Sequence, residues 1–115
     1  MNNILTEIWD EMGFPYHRQG SLTDETYPPS FFTYWNISSD NASFYDNAER
    51  RYIEDWYVGF YTNDPDILYS TMDDFIARAK ARGIVLSGRP KDVDADKKYY
   101  YGRGCTVKII HNVEE

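Results

Sequence analysis

The sequence is poor in the residues that build covalent cross-links and metal centres. It contains one cysteine, Cys105, and two histidines, His17 and His111, among 115 residues. One cysteine cannot close an intrachain disulfide, which fits folding in a reducing compartment. Neither histidine has a cysteine or a second histidine at ligand spacing, so a zinc site is not expected. We predict that the protein needs no metal and no cofactor.

Long apolar runs are also lacking. No stretch approaches the roughly 18–20 residues needed to cross a bilayer. The amino-terminal residues show neither the basic segment nor the continuous apolar segment of a signal peptide. Both absences predict a protein that stays in the cytoplasm and has no membrane partner.

Positive charge is scarce as well. The chain has 12 Lys and Arg residues against 19 Asp and Glu residues, a formal net charge of -7 and a pI near 4.7. Nucleic-acid affinity comes from clustered basic side chains that release counterions from phosphates. The aromatic residues here alternate instead with acidic ones, including Glu54 and Asp55. No specific nucleic acid is therefore expected as a partner.

Motifs for catalysis are incomplete wherever they begin. Residues Asp92–Asp96 start like a calcium loop, which requires Gly at the sixth position and Glu at the twelfth. Those positions are Lys97 and Arg103. The residues indicate a solvated loop.

The glycines of Gly102–Gly104 do not complete a phosphate-binding motif, because no third glycine follows to open a helix. They predict a bulge or bend in a strand. Cys105 lies on the same face of that strand as Tyr101 and Val107, which suits a small buried hydrophobe better than a nucleophile. We predict that the protein is not an enzyme.

Aromatic residues are abundant by contrast. Eleven of the twenty lie between Phe31 and Tyr61, and nine of these are in two runs at residues 30–39 and 50–62. A connection rich in Ser, Asp and Asn separates the runs at 40–49. Aromatic and β-branched side chains fit the pleated surface of a sheet, so the pattern predicts two long paired strands.

Two segments have the apolar spacing of helices. The first is near the amino terminus, and Gly13 is placed to end it. The second starts at Asp64 and Pro65, which favour a helix start, and ends at Gly83. The predicted core-facing residues are Ile4, Leu5, Ile8, Trp9 and Met12 in the first helix and Leu68, Met72, Phe75, Ile76 and Ala79 in the second.

These elements predict a single α+β domain in the order α-β-β-α-β-β. The expected fold is a mostly antiparallel sheet with two helices packed on one face. Its core spans about residues 2–111, with loops at 20–29, 40–49 and 88–98. The length of 115 residues suits one core.

The second aromatic run is apolar on both faces of its predicted strand. Trp56, Val58 and Phe60 share one face with Tyr52, whereas Ile53, Tyr57 and Tyr61 share the other. A sheet covered on one side leaves one set exposed, and exposed aromatic clusters mark protein interfaces. The plainer alternative is that the tyrosine hydroxyls simply reach solvent.

The same region resembles a known class of protein. It has an aromatic strand entered through Pro28-Pro29, a loop with Phe44-Tyr45-Asp46-Asn47 and a strand that ends Phe60–Pro65, followed by a helix closed at Gly83-Ile84. In pattern and order, from about Pro28 to Ile110, this resembles small tail-terminator or head–tail joining (neck) proteins of long-tailed bacteriophages and prophages.

The resemblance implies a structural protein that forms a ring, commonly of six subunits, at the junction of tail and neck. Its implied partners are the tail-tube and head-connector proteins. Its implied location is the bacterial host cytoplasm during assembly and then the virion. The candidate interface residues are Phe44, Tyr45, Asp46, Asn47, Tyr57 and Tyr61.

A second interpretation rests on net charge alone. A small acidic phage protein can act as an inhibitor or a DNA mimic that presents carboxylates to the basic groove of a host protein. Lys97-Lys98 and the two helices interrupt any continuous negative stripe here.

Overall fold

The computed structural model describes residues 4–18, 28–41, 50–95 and 99–113. They form one α+β domain in which a six-stranded sheet packs against two helices. The helices are α1 (Ile4–Met12) and α2 (Leu68–Ala81), and the strands are β1 (Tyr16–Arg18), β2 (Ser30–Asn41), β3 (Arg50–Thr62), β4 (Val85–Leu86), β5 (Lys91–Val93) and β6 (Tyr101–Val113).

The sheet is built around three long strands. Its order is β1-β2-β3-β6-β4, and β5 pairs with β6 beside β4. All pairs are antiparallel except β1 with β2, which confirms the predicted mostly antiparallel sheet. With strands of 12 and 13 residues at its centre, the molecule is elongated, with extents of 51 × 26 × 23 Å.

The predicted element order is wrong because it omits two short strands. The first is β1, which runs parallel to Phe32–Tyr34 of β2. The Phe32 N–H donates to the Pro15 carbonyl at 2.9 Å and draws this segment against the sheet.

The second omitted strand is β5, which lies inside the predicted loop 88–98 and pairs with Gly102–Gly104. Its central residue, Asp92, accepts hydrogen bonds from the Tyr69 hydroxyl at 2.9 Å and from Arg103 Nη1 at 2.8 Å. These two bonds, that from Tyr69 first, hold the pKa of the Asp92 carboxyl below its ordinary value. A charged segment therefore joins the sheet because its charge is paired.

The other two predicted loops lie largely outside the described residues. In the loop 20–29 only Pro28 and Pro29 are described. In the loop 40–49, strand β2 continues to Asn41 and residues 42–49 are not among those described.

The core lies between the helices and one face of the sheet, as predicted. Trp9 is at its centre and is fully buried. Its indole stacks on Phe32 at 5.1 Å and on Phe75 at 5.8 Å, so one ring joins both helices to β2. The other buried core residues are Leu5, Ile8, Trp56, Val58, Phe60, Leu68, Met72, Ala79, Ile84, Cys105, Val107 and Ile109.

The ends of α2 follow from local chemistry. The Asp66 N–H donates to Asp64 Oδ1 at 3.0 Å, in a 3-10 turn over Pro65–Ile67 that leads into the helix. At the other end Gly83 has φ of +84°, a conformation that glycine adopts without strain. The Gly83 and Ile84 N–H groups then donate to the last helical carbonyls.

Ion pairs join the polar faces of the two helices. Arg82 pairs with Glu7 at 3.3 Å and also with Glu11, while Arg78 pairs with Glu11 at 3.4 Å and with Asp74 at 3.1 Å. Three carboxylates of these helices are thus paired with two arginines of α2 and its end.

The predicted bulge at Gly102–Gly104 is wrong. Strand β6 keeps an unbroken register against β3 from Tyr101 to Val113. The register shift lies on β2 instead, between Asn36 and Ser38, where an extra residue opposes β3. The glycines of β6 instead lie beneath tyrosine rings, on the face of the sheet opposite the helices.

Truncation of core-facing residues of α2 should be far more damaging than truncation of its exposed ion pair. We expect Leu68→Ala or Phe75→Ala to lower the free energy of unfolding by about 2–5 kcal/mol, because both remove buried apolar atoms. Asp74→Ala should cost well under about 1 kcal/mol, as exposed pairs do. Denaturant titrations measure the difference, and equal effects would contradict this assignment of the helix faces.

Candidate protein interface

The face of the sheet that points away from the helices carries the candidate interface. We call it the open face, because neither helix of the described structure packs on it. Strand register places alternate residues of three strands there. They are Phe31, Thr33 and Trp35 on β2; Ile53, Asp55, Tyr57, Gly59 and Tyr61 on β3; and Gly102, Gly104, Thr106, Lys108 and Ile110 on β6.

Three glycines form a flat floor at the centre of the open face. Gly59 and Gly104 are cross-strand partners, and Gly102 is opposite Tyr61. A Cβ atom at Gly102 would lie 2.6 Å from Cε1 of Tyr61 and 2.9 Å from the Val93 carbonyl oxygen. Both distances are far below van der Waals contact, so only glycine lets the ring lie flat on the backbone.

Tyr57 and Tyr61 lean toward each other over this floor. A Cβ atom at Gly59 would be 3.0 Å from Cε2 of Tyr61 and 3.3 Å from Cε2 of Tyr57, and one at Gly104 would lie 2.7 Å from Cζ of Tyr57. The two tyrosine rings therefore cover these glycines on the face of the sheet that neither helix covers.

The two hydroxyls interact. Burial raises the pKa of the Tyr57 hydroxyl, and a hydrogen bond with Tyr61 opposes part of that rise. Tyr57 therefore remains a neutral phenol at physiological pH. It offers a partner a polar group on an otherwise apolar surface, as interface tyrosines commonly do.

Rings from β2 extend the tyrosine pair into a continuous aromatic row. Phe31 stacks on Tyr61 at 5.6 Å, and Trp35 packs against Tyr57 at 5.8 Å. The two ends of the row differ in exposure. Phe31 is buried, whereas Trp35 is 47% exposed.

Exposed apolar side chains continue beyond Trp35 toward the far end of the sheet. Ile37, at the bulge of β2, is 51% exposed, and Ile110 on the open face is 45% exposed. Asp55 and Lys108 lie on the open face between Tyr57 and Ile110, and they pair across the strands at 2.8 Å. An apolar surface whose charged side chains pair with each other is typical of the centre of a protein interface rather than of a solvated surface.

The structure brings together two of the six candidate interface residues. Tyr57 and Tyr61 share one face of β3, as predicted, and that face is the open one. The other four, Phe44, Tyr45, Asp46 and Asn47, lie outside the described residues.

The sequence prediction did not single out Trp35, Ile37 or Ile110, whose exposure depends on which strands flank them. One feature of the sequence could have predicted the glycine floor. Once β3 and β6 are paired, Gly102 and Gly104 stand opposite Tyr61 and Gly59.

His17 lies beside the buried end of the aromatic row, on the first strand. It is partly buried on β1, level with Thr33. Its ring meets Phe31 edge-on at 6.1 Å, and its Nε2 atom is buried without a hydrogen-bond partner among the described residues. The apolar surface thus continues from the aromatic row onto the first strand.

Across the described ranges, no group of three or more His, Cys, Asp or Glu side chains is placed to hold a metal ion. No helix of the described structure is long and apolar enough to span a membrane. Comparison of the chain with known protein families and with curated protein sequences found no match.

The glycine floor generates a direct test. Gly102→Ala should lower the free energy of unfolding by about 1–3 kcal/mol, as overpacking does, because its Cβ meets both a ring and a backbone oxygen. Gly88→Ala is the matched control, since a Cβ there would meet nothing within 4 Å. Thermal or denaturant unfolding of the two variants gives the comparison. Equal stabilities would show that the rings do not lie on the backbone.

Proposed function

We propose that this chain is a structural assembly subunit of a long-tailed bacteriophage or prophage, a tail terminator or head–tail joining protein that forms a ring at the junction of tail and neck. Its partners are further copies of itself, the tail-tube protein and the head-connector protein. It is monomeric or weakly associating when dilute, and closes into a ring when the tail-tube protein is present.

The observation that carries this proposal is the open face. A single-layer sheet with helices on one side exposes a surface that runs from the tyrosine pair to Trp35 on one strand and to Ile110 on another. Such a surface favours protein contacts over solvent. Together with the resemblance in sequence pattern, it supports an assembly role rather than catalysis.

The inhibitor or DNA-mimic alternative loses support from the ion pairs on the helices. A mimic of a phosphate backbone needs carboxylates that are free to meet a basic groove. Glu7, Glu11 and Asp74 are instead paired with Arg78 and Arg82. These ion pairs therefore reduce the negative charge on the side of the molecule that carries the helices, whereas a DNA mimic needs its carboxylates unpaired.

The proposal can be tested by inactivating the gene for this protein in its phage or prophage genome. We expect electron microscopy to show heads and tails that fail to join, or tails of abnormal length. Wild-type protein supplied from a plasmid should restore complete particles. Normal particles without the protein would contradict an assembly role.

The open face is tested by complementation with two matched variants. Trp35→Ser removes an exposed ring from the open face and should fail to restore joining, while the protein still folds. Tyr101→Ser removes a ring that is similarly exposed, at 46%, but lies opposite Thr62 on the other side of the sheet. It should restore joining, and equal behaviour of the two variants would contradict the role of the open face.

A further inference from the structure

The open face is complementary to itself about a line that runs along the strands between β3 and β6. The strand order is β1-β2-β3-β6-β4. A two-fold axis along this line, placed above the open face, lays β3 of one copy over β6 of the other and β2 over β4. The result is two sheets packed face to face with nearly aligned strands. Because the rotation keeps each residue at its level along the strands, cross-strand partners within one copy face each other between copies.

The charged pair of the open face matches itself under this rotation. Asp55 and Lys108 are partners across β3 and β6 and form an ion pair. The rotation places Asp55 of each copy over Lys108 of the other, so four charges alternate in sign near the axis. A two-fold axis perpendicular to the strands at this level would instead place like charges together. Charge complementarity therefore favours the axis along the strands.

The most exposed side chains of the open face also meet apolar partners. Trp35 on β2 and Val85 on β4 are each about half exposed. Val85 lies on the open face because it is opposite Lys108. With β2 over β4, the Trp35 indole of one copy approaches Val85 of the other, about two residues along the strand.

Closer to the axis, large side chains face small or apolar ones. Tyr57 is level with Thr106, and Ile53 is level with Ile110. The rotation places Tyr57 over Thr106 of the other copy and Ile110 over its Ile53. Contacts of this kind exclude water without a clash, because a large ring meets a small side chain.

The size of the face is that of a weak, reversible interface. From Ile53 to Tyr61, β3 extends about 26 Å at about 3.3 Å per residue. The strands β1-β2-β3-β6-β4, spaced by about 4.8 Å, are together about 20–24 Å wide. Each copy therefore offers roughly 500–600 Å², and two copies bury roughly 1,000–1,200 Å², at the lower limit for a specific contact.

We infer that the open face of the free chain binds a second copy of this chain, in a two-fold dimer whose axis runs along the strands between β3 and β6. Such a contact uses the same surface on both copies and stops at a dimer. This inference goes beyond the proposed function and does not depend on it. In the proposed assembly, the dimer must open before the open face can meet the tail-tube protein.

A charge exchange between positions 35 and 85 tests the dimer. Analytical ultracentrifugation from about 1 µM to about 500 µM would compare wild type with Trp35→Glu and with Val85→Lys. Each single change places a charge against an apolar partner and should raise the dissociation constant of the dimer at least about tenfold.

An equimolar mixture of the two single variants should recover dimer formation, because the new carboxylate of one copy then faces the new ammonium group of the other. The double variant should recover it for the same reason. Within one copy the two positions are three strand spacings apart, about 14 Å, so the recovery cannot arise inside a single chain.

Tyr101→Glu is the matched control. Tyr101 is 46% exposed, but it lies opposite Thr62 on the side of the sheet that carries the helices. This variant should dimerise like wild type. Circular dichroism checks that every variant is folded.

A second measurement needs no variant. Acrylamide quenching of wild-type tryptophan fluorescence should fall as the concentration rises through the dimer range, because Trp35 is exposed in the monomer and covered in the dimer. Quenching that stays constant while dimers form would show that the copies meet elsewhere.

Four results would overturn the dimer. They are a wild type that stays monomeric throughout the series, species larger than a dimer, single variants that dimerise like wild type, and a mixture that fails to recover. The phage function fails separately. Normal particles from the inactivated genome would reject that function and leave the dimer standing, whereas defective particles with a monomeric wild type would reject the dimer alone.

Discussion

The structure depends on how each of the two faces of the central strand β3 is covered. Paired on each side by a long strand, β3 has apolar residues pointing up and down along most of its length. On one face, Trp56, Val58 and Phe60 are buried beneath two helices. On the other, Tyr57 and Tyr61 lie flat on glycines. Burial of apolar surface against helices stabilises the fold, while the flat rings shield the backbone without a second layer.

This asymmetry separates the stable part of the molecule from the part available to partners. Trp9 and the ion pairs of Arg78 and Arg82 hold both helices on one side of the sheet. The open face is then presented by a rigid support. A rigid surface loses little conformational entropy on binding, which suits the proposed assembly role.

Much of this fold could be predicted from sequence. The helices α1 and α2 were predictable because their apolar spacing extends over several turns, and the two faces of β3 followed from simple alternation. Strands β1 and β5 were not. Each has three residues, too few to show a period, and each is held by contacts from distant residues, such as those of Asp92 with Tyr69 and Arg103.

The candidate site was predictable only in part, for a related reason. Glycine within a strand marks either a bulge or the close approach of another group, and the two have the same local sequence. Only the register of β6 against β3 shows that Gly102 and Gly104 lie beneath tyrosine rings. The exposure of Trp35 and Ile110 likewise depends on where β1 and β4 end, which propensity does not specify.

Tryptophan fluorescence gives the most direct measure of whether the open face becomes buried on assembly. Of the three tryptophans, Trp9 and Trp56 are buried at 0% and 4% exposure, whereas Trp35 is 47% exposed. Acrylamide should therefore quench chiefly Trp35 in the free chain, and a Trp35→Phe variant should resist quenching. On assembly with the tail-tube protein, the quenchable signal should disappear. Quenching that is unchanged in the assembled particle would show that the open face still meets solvent and is not the interface.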